Sequence, residues 1–193
     1  MKLYDISRSF FQAKVYPGDP APRMELIRRM EIGDTCNLSA VYAGAHTATH
    51  VDAPRHFVQD GVTIEALPLE PFYGPCSLIT VDGLITGEDI DAMLRYAQKR
   101  VLFRGEGKAF LTQSAAFALA DAGVLLVGTD AQSIGAYGDE EKPHQELLSA
   151  GVPLLEGLDF SCVPKDGEYT LCAFPVKLNG MEGAPARAVL IEE

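Results

Sequence analysis

Three short apolar runs set the tightest limit on how this chain can fold: VLFR at 101–104, VLLVG at 124–128 and VPLLE at 152–156. Each is too short for a buried helix. VLFR reads as a short strand, and the more apolar VLLVG and VPLLE read as strands covered on both sides. Helical patterns separate them. TQSAAFALADAG at 112–123 opens on Thr112 as a cap and stops at Gly123, and HQELLSAG at 144–151 ends at Gly151. Strand alternating with helix implies parallel pairing. A further helix is expected over TGEDIDAMLRYAQKR at 86–100, with Thr86 as N-cap, acids in the first turn, and Lys99 and Arg100 in the last.

The first half of the chain reads differently. KLYDIS, MELIRRMEI, CNLSAVYAG and CSLITVDG are strand-like, and VYPGDPAP at 15–22 is a loop broken by Pro17 and Gly18. These strands are expected to pair antiparallel. EYTLCAFPVKL and ARAVLIEE close the chain as strands. With no repeat and no linker, residues 1–193 form one mixed α/β domain. No apolar run reaches the roughly 18 residues of a membrane span, and the N-terminus lacks a signal-peptide pattern. The expected location is the cytoplasm. A net charge of −11 argues against nucleic acid and anionic membrane as partners. The four cysteines form no CxxC pair and read as buried small hydrophobes.

The chemistry is concentrated in HTATHVDAPRH at 46–56, which holds three of the four histidines. His46, His50, Asp52 and His56 are all even-numbered. In an extended chain they share one face, with Thr47, Thr49 and Val51 on the other. A helix fits poorly, because three of the intervening residues are β-branched and Pro54 would disrupt it. Imidazoles and a carboxylate together suit Zn²⁺, Mn²⁺ or Fe²⁺; ordinary His–Asp hydrogen bonding is the alternative. Ala48, between the histidines, must then be small to avoid crowding the ion. His144 opens a helix, and VPLLE returns to leave Glu156 near its level. A carboxylate closing so apolar a run needs a partner such as a metal if it is buried; an exposed Glu at a strand end is the alternative.

HTATHVDAPRH resembles the HxGTHxDxPxH signature of the cyclase family of metal-dependent hydrolases, which includes bacterial kynurenine formamidase and isatin hydrolase. YPGD at 16–19, LLVGTDAQSIG at 125–135, HQELLSAGVPLLEGLDF at 144–160 and FPVKLNGMEGAPARAVL at 174–190 extend the likeness over nearly the whole chain. The resemblance implies a swivelling β/β/α domain with a mixed sheet, usually a homodimer or homotetramer. It implies one or two ions, zinc first, with His46, His50 and Asp52 holding one and Asp52, His144 and Glu156 a second. His56 would be the catalytic acid and base. The implied activity is hydrolysis of a small-molecule amide, N-formylkynurenine to kynurenine and formate in tryptophan catabolism. A cyclic amide such as isatin, or another substrate of the family, is the alternative, and a metal-binding protein without turnover a third reading.

Three departures bear on the substrate. Ala48 replaces the signature glycine, and Tyr16 stands where kynurenine formamidases carry Trp. Arg55 replaces an apolar residue and would pair with a substrate carboxylate if it faced the pocket. Tyr16 would stack on a flat substrate. Ser133, with Thr129 and Asp130, reads either as a pocket group or as part of a glycine-anchored turn.

Overall fold

The computed structural model describes residues 1–192. Thirteen strands run β1 Lys2–Asp5, β2 Arg23–Arg28, β3 Leu38–Tyr42, β4 His50–Asp52, β5 Tyr73–Thr80, β6 Leu84–Ile85, β7 Arg100–Arg104, β8 Phe110–Leu111, β9 Leu126–Thr129, β10 Leu154–Glu156, β11 Gly167–Cys172, β12 Gly183–Pro185 and β13 Val189–Glu192. The helices are α1 Gly87–Met93, α2 Gln113–Asp121 and α3 Glu141–Ser149.

Nine strands make one sheet in the order β1-β13-β11-β5-β7-β9-β10-β4-β12. Its centre, β5-β7-β9-β10, is parallel. Each step along it is made by one helix: α1 joins β5 to β7, α2 joins β7 to β9, and α3 joins β9 to β10. The flanking strands pair antiparallel. This is the mixed architecture that the alternating apolar runs imply.

The doubly apolar runs have a simple cause. On β7, Val101 and Phe103 join a cluster with Ile90, Leu119 and Leu147 of the three helices, while Leu102 faces the opposite cluster. Val127 and Leu126 divide the same way on β9, as do Leu154 and Leu155 on β10. The opposite cluster unites Tyr4 and Leu190 from one end of the sheet with Val51 and Ala184 from the other. The sheet therefore curls onto itself, giving two β layers and a helical layer.

Local signals account for the helix ends. Thr86 Oγ1 and the Asp89 carboxylate form a capping box, and Thr112 accepts from Ala115 N. The first helix stops at Met93, however, seven residues short of the expected end. Arg100 is needed elsewhere: it begins β7, buried, and its guanidinium donates to the carbonyls of Pro71, Pro75 and Glu70. α3 begins at Glu141, so His144 sits one turn inside the helix rather than at its start. Cys76 alone of the cysteines is fully buried; Cys36 and Cys162 are exposed and Cys172 is intermediate, all with free thiols. Among the described residues, no helix is long and apolar enough to cross a membrane. β2 and β3 pair with each other but stand outside the large sheet.

Candidate metal centre

β4 is wedged between β10 and β12, and its register builds the site. His50 lies opposite Glu156 and Asp52 opposite Leu154. Side-chain alternation therefore puts His50, Asp52 and Glu156 on one face. His144 reaches them from α3 and His46 from the turn before β4. His50 Nε2 lies 3.3 Å from Asp52 and 3.4 Å from Glu156; His144 Nε2 lies 3.6 Å and 3.3 Å from the same carboxylates. His46 Nδ1 is 2.7 Å from Asp52 Oδ1. Two groups suited to an ion result, His46–His50–Asp52 and Asp52–His144–Glu156, each with its ligand atoms within 4.8 Å of one another. Asp52 belongs to both.

The residues fit an ion on two counts. Asp52 Oδ2 and His46 Nε2 are buried without a hydrogen-bond partner, an arrangement that costs free energy unless something else satisfies them. The outer nitrogens are also committed. His50 Nδ1 contacts Ala48 O at 3.0 Å and His144 Nδ1 contacts Glu140 O at 2.7 Å, which turns each Nε2 inward.

Charge follows the same geometry. Burial alone would lower the pKa of His50 and His144, but hydrogen bonds and charge from Asp52 and Glu156 outweigh it and lift both to about 10. His46 moves up for the same reason, through Asp52. The histidines in turn hold Asp52 well below the usual carboxylate range despite its burial. His56 differs: burial, with His46 and His144 nearby, pushes it down.

His56 closes a 3-10 turn, Pro54–His56, directly after β4. Its ring stacks on His46 at 4.0 Å between centroids and lies 6.0 Å from His144. It joins His46, His50, His144 and Glu156 in lining a cavity of about 350 Å³. Tyr16 and Ser133 line the cavity as well. Arg55 does not: it is exposed, and Nη1 donates to Gln59 O. Its neighbour's ring turns inward while the 3-10 turn sends Arg55 outward. Thr129 is structural, donating to Ala109 O and accepting from Ala131 N. The Asp130 carboxylate accepts from Gly105 N and lines a different groove.

The grouping of the even-numbered residues holds, but an extended chain does not cause it. Only His50–Asp52 is strand. Ala48 is left-handed at φ 60°, which redirects His46. The small residue there answers a backbone demand that glycine meets without strain. Three site residues escaped the sequence reading. Glu140 accepts from the Tyr16 hydroxyl and supplies the carbonyl that orients His144. Phe57 stacks on His144 at 4.4 Å. Glu182 reaches 3.4 Å from His46 Nε2.

Gly157, just past β10, locks the corner. Its φ is 66°, and an added Cβ would lie 2.2 Å from Ala48 O. Gly157→Ala is therefore expected to cost about 2–4 kcal/mol and to lower bound metal per chain, as read by calorimetry and elemental analysis. Wild-type stability in that variant would refute the close approach.

A curled mixed sheet with a helical layer, carrying two histidine–carboxylate groups that share Asp52, defines an α/β protein able to hold divalent ions. Comparison with known proteins narrows the class. The family described as Putative cyclase matches residues 4–136, and the chain belongs to it. Kynurenine formamidase of Salinibacter ruber is 38% identical over 207 residues, covering 98% of this chain and 97% of that protein. Kynurenine formamidase of Delftia acidovorans is 36% identical at the same coverage. A solved structure from Bacillus stearothermophilus, described as a predicted metal-dependent hydrolase, is 35% identical and superposes with a TM-score of 0.82 over 98% of this chain and 97% of that one. Isatin hydrolase A of Labrenzia aggregata, 21% identical with a TM-score of 0.80 over 100% of this chain and 94% of that one, shares the fold.

Proposed function

We propose that this chain is a divalent-metal-dependent amidohydrolase acting on aryl formamides, with N-formylkynurenine as the best-fitting substrate. The observation that carries this reading is His56: an imidazole facing the cavity beside both ligand groups yet belonging to neither. A purely structural site closes its coordination shell and needs no such neighbour. The formamidase names of the relatives support the choice of bond.

His46, His50 and Asp52 would hold one ion and Asp52, His144 and Glu156 a second, zinc being the proposed metal and manganese or iron the alternatives. Such an ion, when bound, lowers the pKa of water and polarises the amide carbonyl. The remaining steps belong to the chain. His56, held neutral by its lowered pKa, takes a proton from the attacking water and returns it to the leaving nitrogen. The Tyr16 ring, tethered through its hydroxyl to Glu140, forms one wall for a flat substrate.

The lining also selects by charge. Asp19, Glu140 and Glu141 line the cavity, and among the described residues no Lys or Arg does. With Arg55 turned outward, nothing on this chain's wall pairs with an anionic tail. N-formylkynurenine is a zwitterion: its ammonium group meets these carboxylates, while its own carboxylate finds no cation on this wall and is placed toward solvent. Among ring-substituted formanilides, an aminoalkyl compound is expected to exceed its carboxyalkyl counterpart about tenfold in kcat/KM, which corresponds to about 1.4 kcal/mol. The test is an assay of zinc-, manganese- and iron-loaded protein on these formanilides, N-formylkynurenine and isatin. Turnover of isatin alone would replace the formamidase reading with a lactam-opening one. Turnover of none would sink the hydrolase reading. Equal rates on both charged formanilides would remove only the charge argument.

A further inference from the structure

Tyr16 stands between two cavities. With Gln132 and Ser133 it lines both the catalytic cavity of about 350 Å³ and a neighbouring one of about 330 Å³. The second cavity includes no residue of either ligand group; its further walls include Pro17, Phe110 and Tyr137. Tyr137 lines only this far side, with its ring centroid 6.2 Å from that of Tyr16. The Tyr16 ring is therefore a partition, and it is fixed at both ends. Its hydroxyl donates to the Glu140 carboxylate. The backbone beside it is tied where Gln132 Nε2 donates to Lys14 O at 2.6 Å. Glu140 is itself held. Its other carboxylate oxygen accepts from Gly138 N at 2.8 Å. A Cβ added at Gly135 would lie 2.5 Å from Glu140 Cα, so two backbone segments meet there with no room for a side chain.

We infer that the second cavity is an aromatic subsite of the active site and that the bond from Tyr16 to Glu140 shuts it, which makes Glu140 a positioning residue that limits the chain to single-ring amides. The choice of ligand rests on the amidohydrolase reading. The walls name the occupant. Phe110 and Tyr137 offer flat apolar surface and Pro17 an apolar edge, so a second aromatic ring, continuing from the first, suits the space. A single-ring substrate ends at Tyr16. A two-ring substrate must push that ring aside and break its bond to the carboxylate. Hydrogen bonds to an ionised acceptor are the strong ones. Long ligands lose that bond and short ones keep it, so the loss discriminates between them. Phenylalanine would supply the same ring without the stop. Size selection therefore lies in the acceptor, Glu140, as much as in the ring it holds.

The test is calorimetry on zinc-loaded full-length protein with phenylurea and 4-biphenylylurea, which keep a planar carbonyl–nitrogen unit and resist hydrolysis. It is followed by kcat/KM for the matching formanilides. The readout is the ratio of two-ring to one-ring ligand, which a general loss of structure would leave unmoved. Tyr16→Phe and Glu140→Ala are each expected to raise that ratio about tenfold, the worth of one hydrogen bond to a charged group. The double variant should raise it no further, because both changes remove the same bond. Glu140→Gln, whose amide oxygen still accepts from the hydroxyl, should keep the wild-type ratio. Phe110→Trp, which fills the second cavity, should cancel the gain when added to Tyr16→Phe. An unchanged ratio in Tyr16→Phe and Glu140→Ala overturns the inference. So do a gain that Phe110→Trp leaves intact, a Glu140→Gln ratio equal to that of Glu140→Ala, and failure of both ureas to bind. Urea ratios that move as expected while no formanilide is hydrolysed would remove the hydrolase reading and keep the subsite. Hydrolysis with an unmoved ratio would do the reverse.

Discussion

Replacing His56 with alanine is expected to lower kcat/KM for an aryl formamide by about two to four orders of magnitude, the usual contribution of a positioned acid–base group, while leaving bound metal per chain unchanged. The reasoning is geometric. His56 stacks on His46 and faces the cavity, but it belongs to neither of the groups whose ligand atoms converge. Removing its ring leaves the inward-facing atoms of His46, His50, His144, Asp52 and Glu156 in place. The pH profile separates a proton carrier from a packing residue. Burial, and the proximity of His46 and His144, hold His56 below the usual imidazole value of 6.5. A base with a lowered pKa stays neutral at lower pH, so the acid limb of the wild-type kcat/KM profile should fall below 6.5. In His56→Ala that limb should disappear. Loss of metal together with activity would make His56 a ligand and overturn the division of roles.

How much of this was legible beforehand depends on what kind of signal each residue leaves. The helix-out, strand-back path that brings His144 and Glu156 together is local periodicity, and it could be read from the apolar run VPLLE. His50 and Asp52 share a face because they sit on a strand, which alternation also gives. His46 was grouped with them for the wrong reason, since a single left-handed residue at Ala48 leaves no periodic trace. β12, only three residues long and containing Gly183 and Pro185, carries no strand pattern; pairing with β4 creates it. Glu140, Phe57 and Glu182 enter the site through contacts that the packing of separate segments decides. Arg100 reads as a helix-ending cation, yet the carbonyls of Glu70 and Pro71 before β5 and of Pro75 within it claim its guanidinium. Arg55 faces outward from the 3-10 turn that follows β4, where Gln59 O holds its guanidinium away from the cavity.

With metal stripped by a chelator, thermal stability is expected to peak near pH 5–6 and to decline as pH rises toward 10; with zinc loaded, the decline should vanish. His50 and His144 have pKa values lifted to about 10 by Asp52 and Glu156, against the 6.5 of an unfolded chain. A raised pKa means that the folded state binds the proton more tightly. The resulting stabilisation is complete below 6.5 and is lost as pH climbs through 10. Asp52 and Glu156 have lowered pKa values, so their share is present above the ordinary carboxylate range and is lost in acid. The metal-free protein is therefore squeezed from both sides. A loss on the order of 2 kcal/mol between pH 6.5 and 9 would lower Tm by about 5 °C for a chain of this length. An ion held by His50 and His144 would compete with those protons, so its affinity should rise over the interval in which the protons leave. The gap between loaded and chelated Tm should widen steadily from pH 6 to 9 in differential scanning fluorimetry. A cluster held together only by hydrogen bonds would respond to pH in the same way but would be indifferent to zinc. Parallel curves with and without the ion would therefore reduce the His46–His50–Asp52 and Asp52–His144–Glu156 groups to a buried ion-pair network.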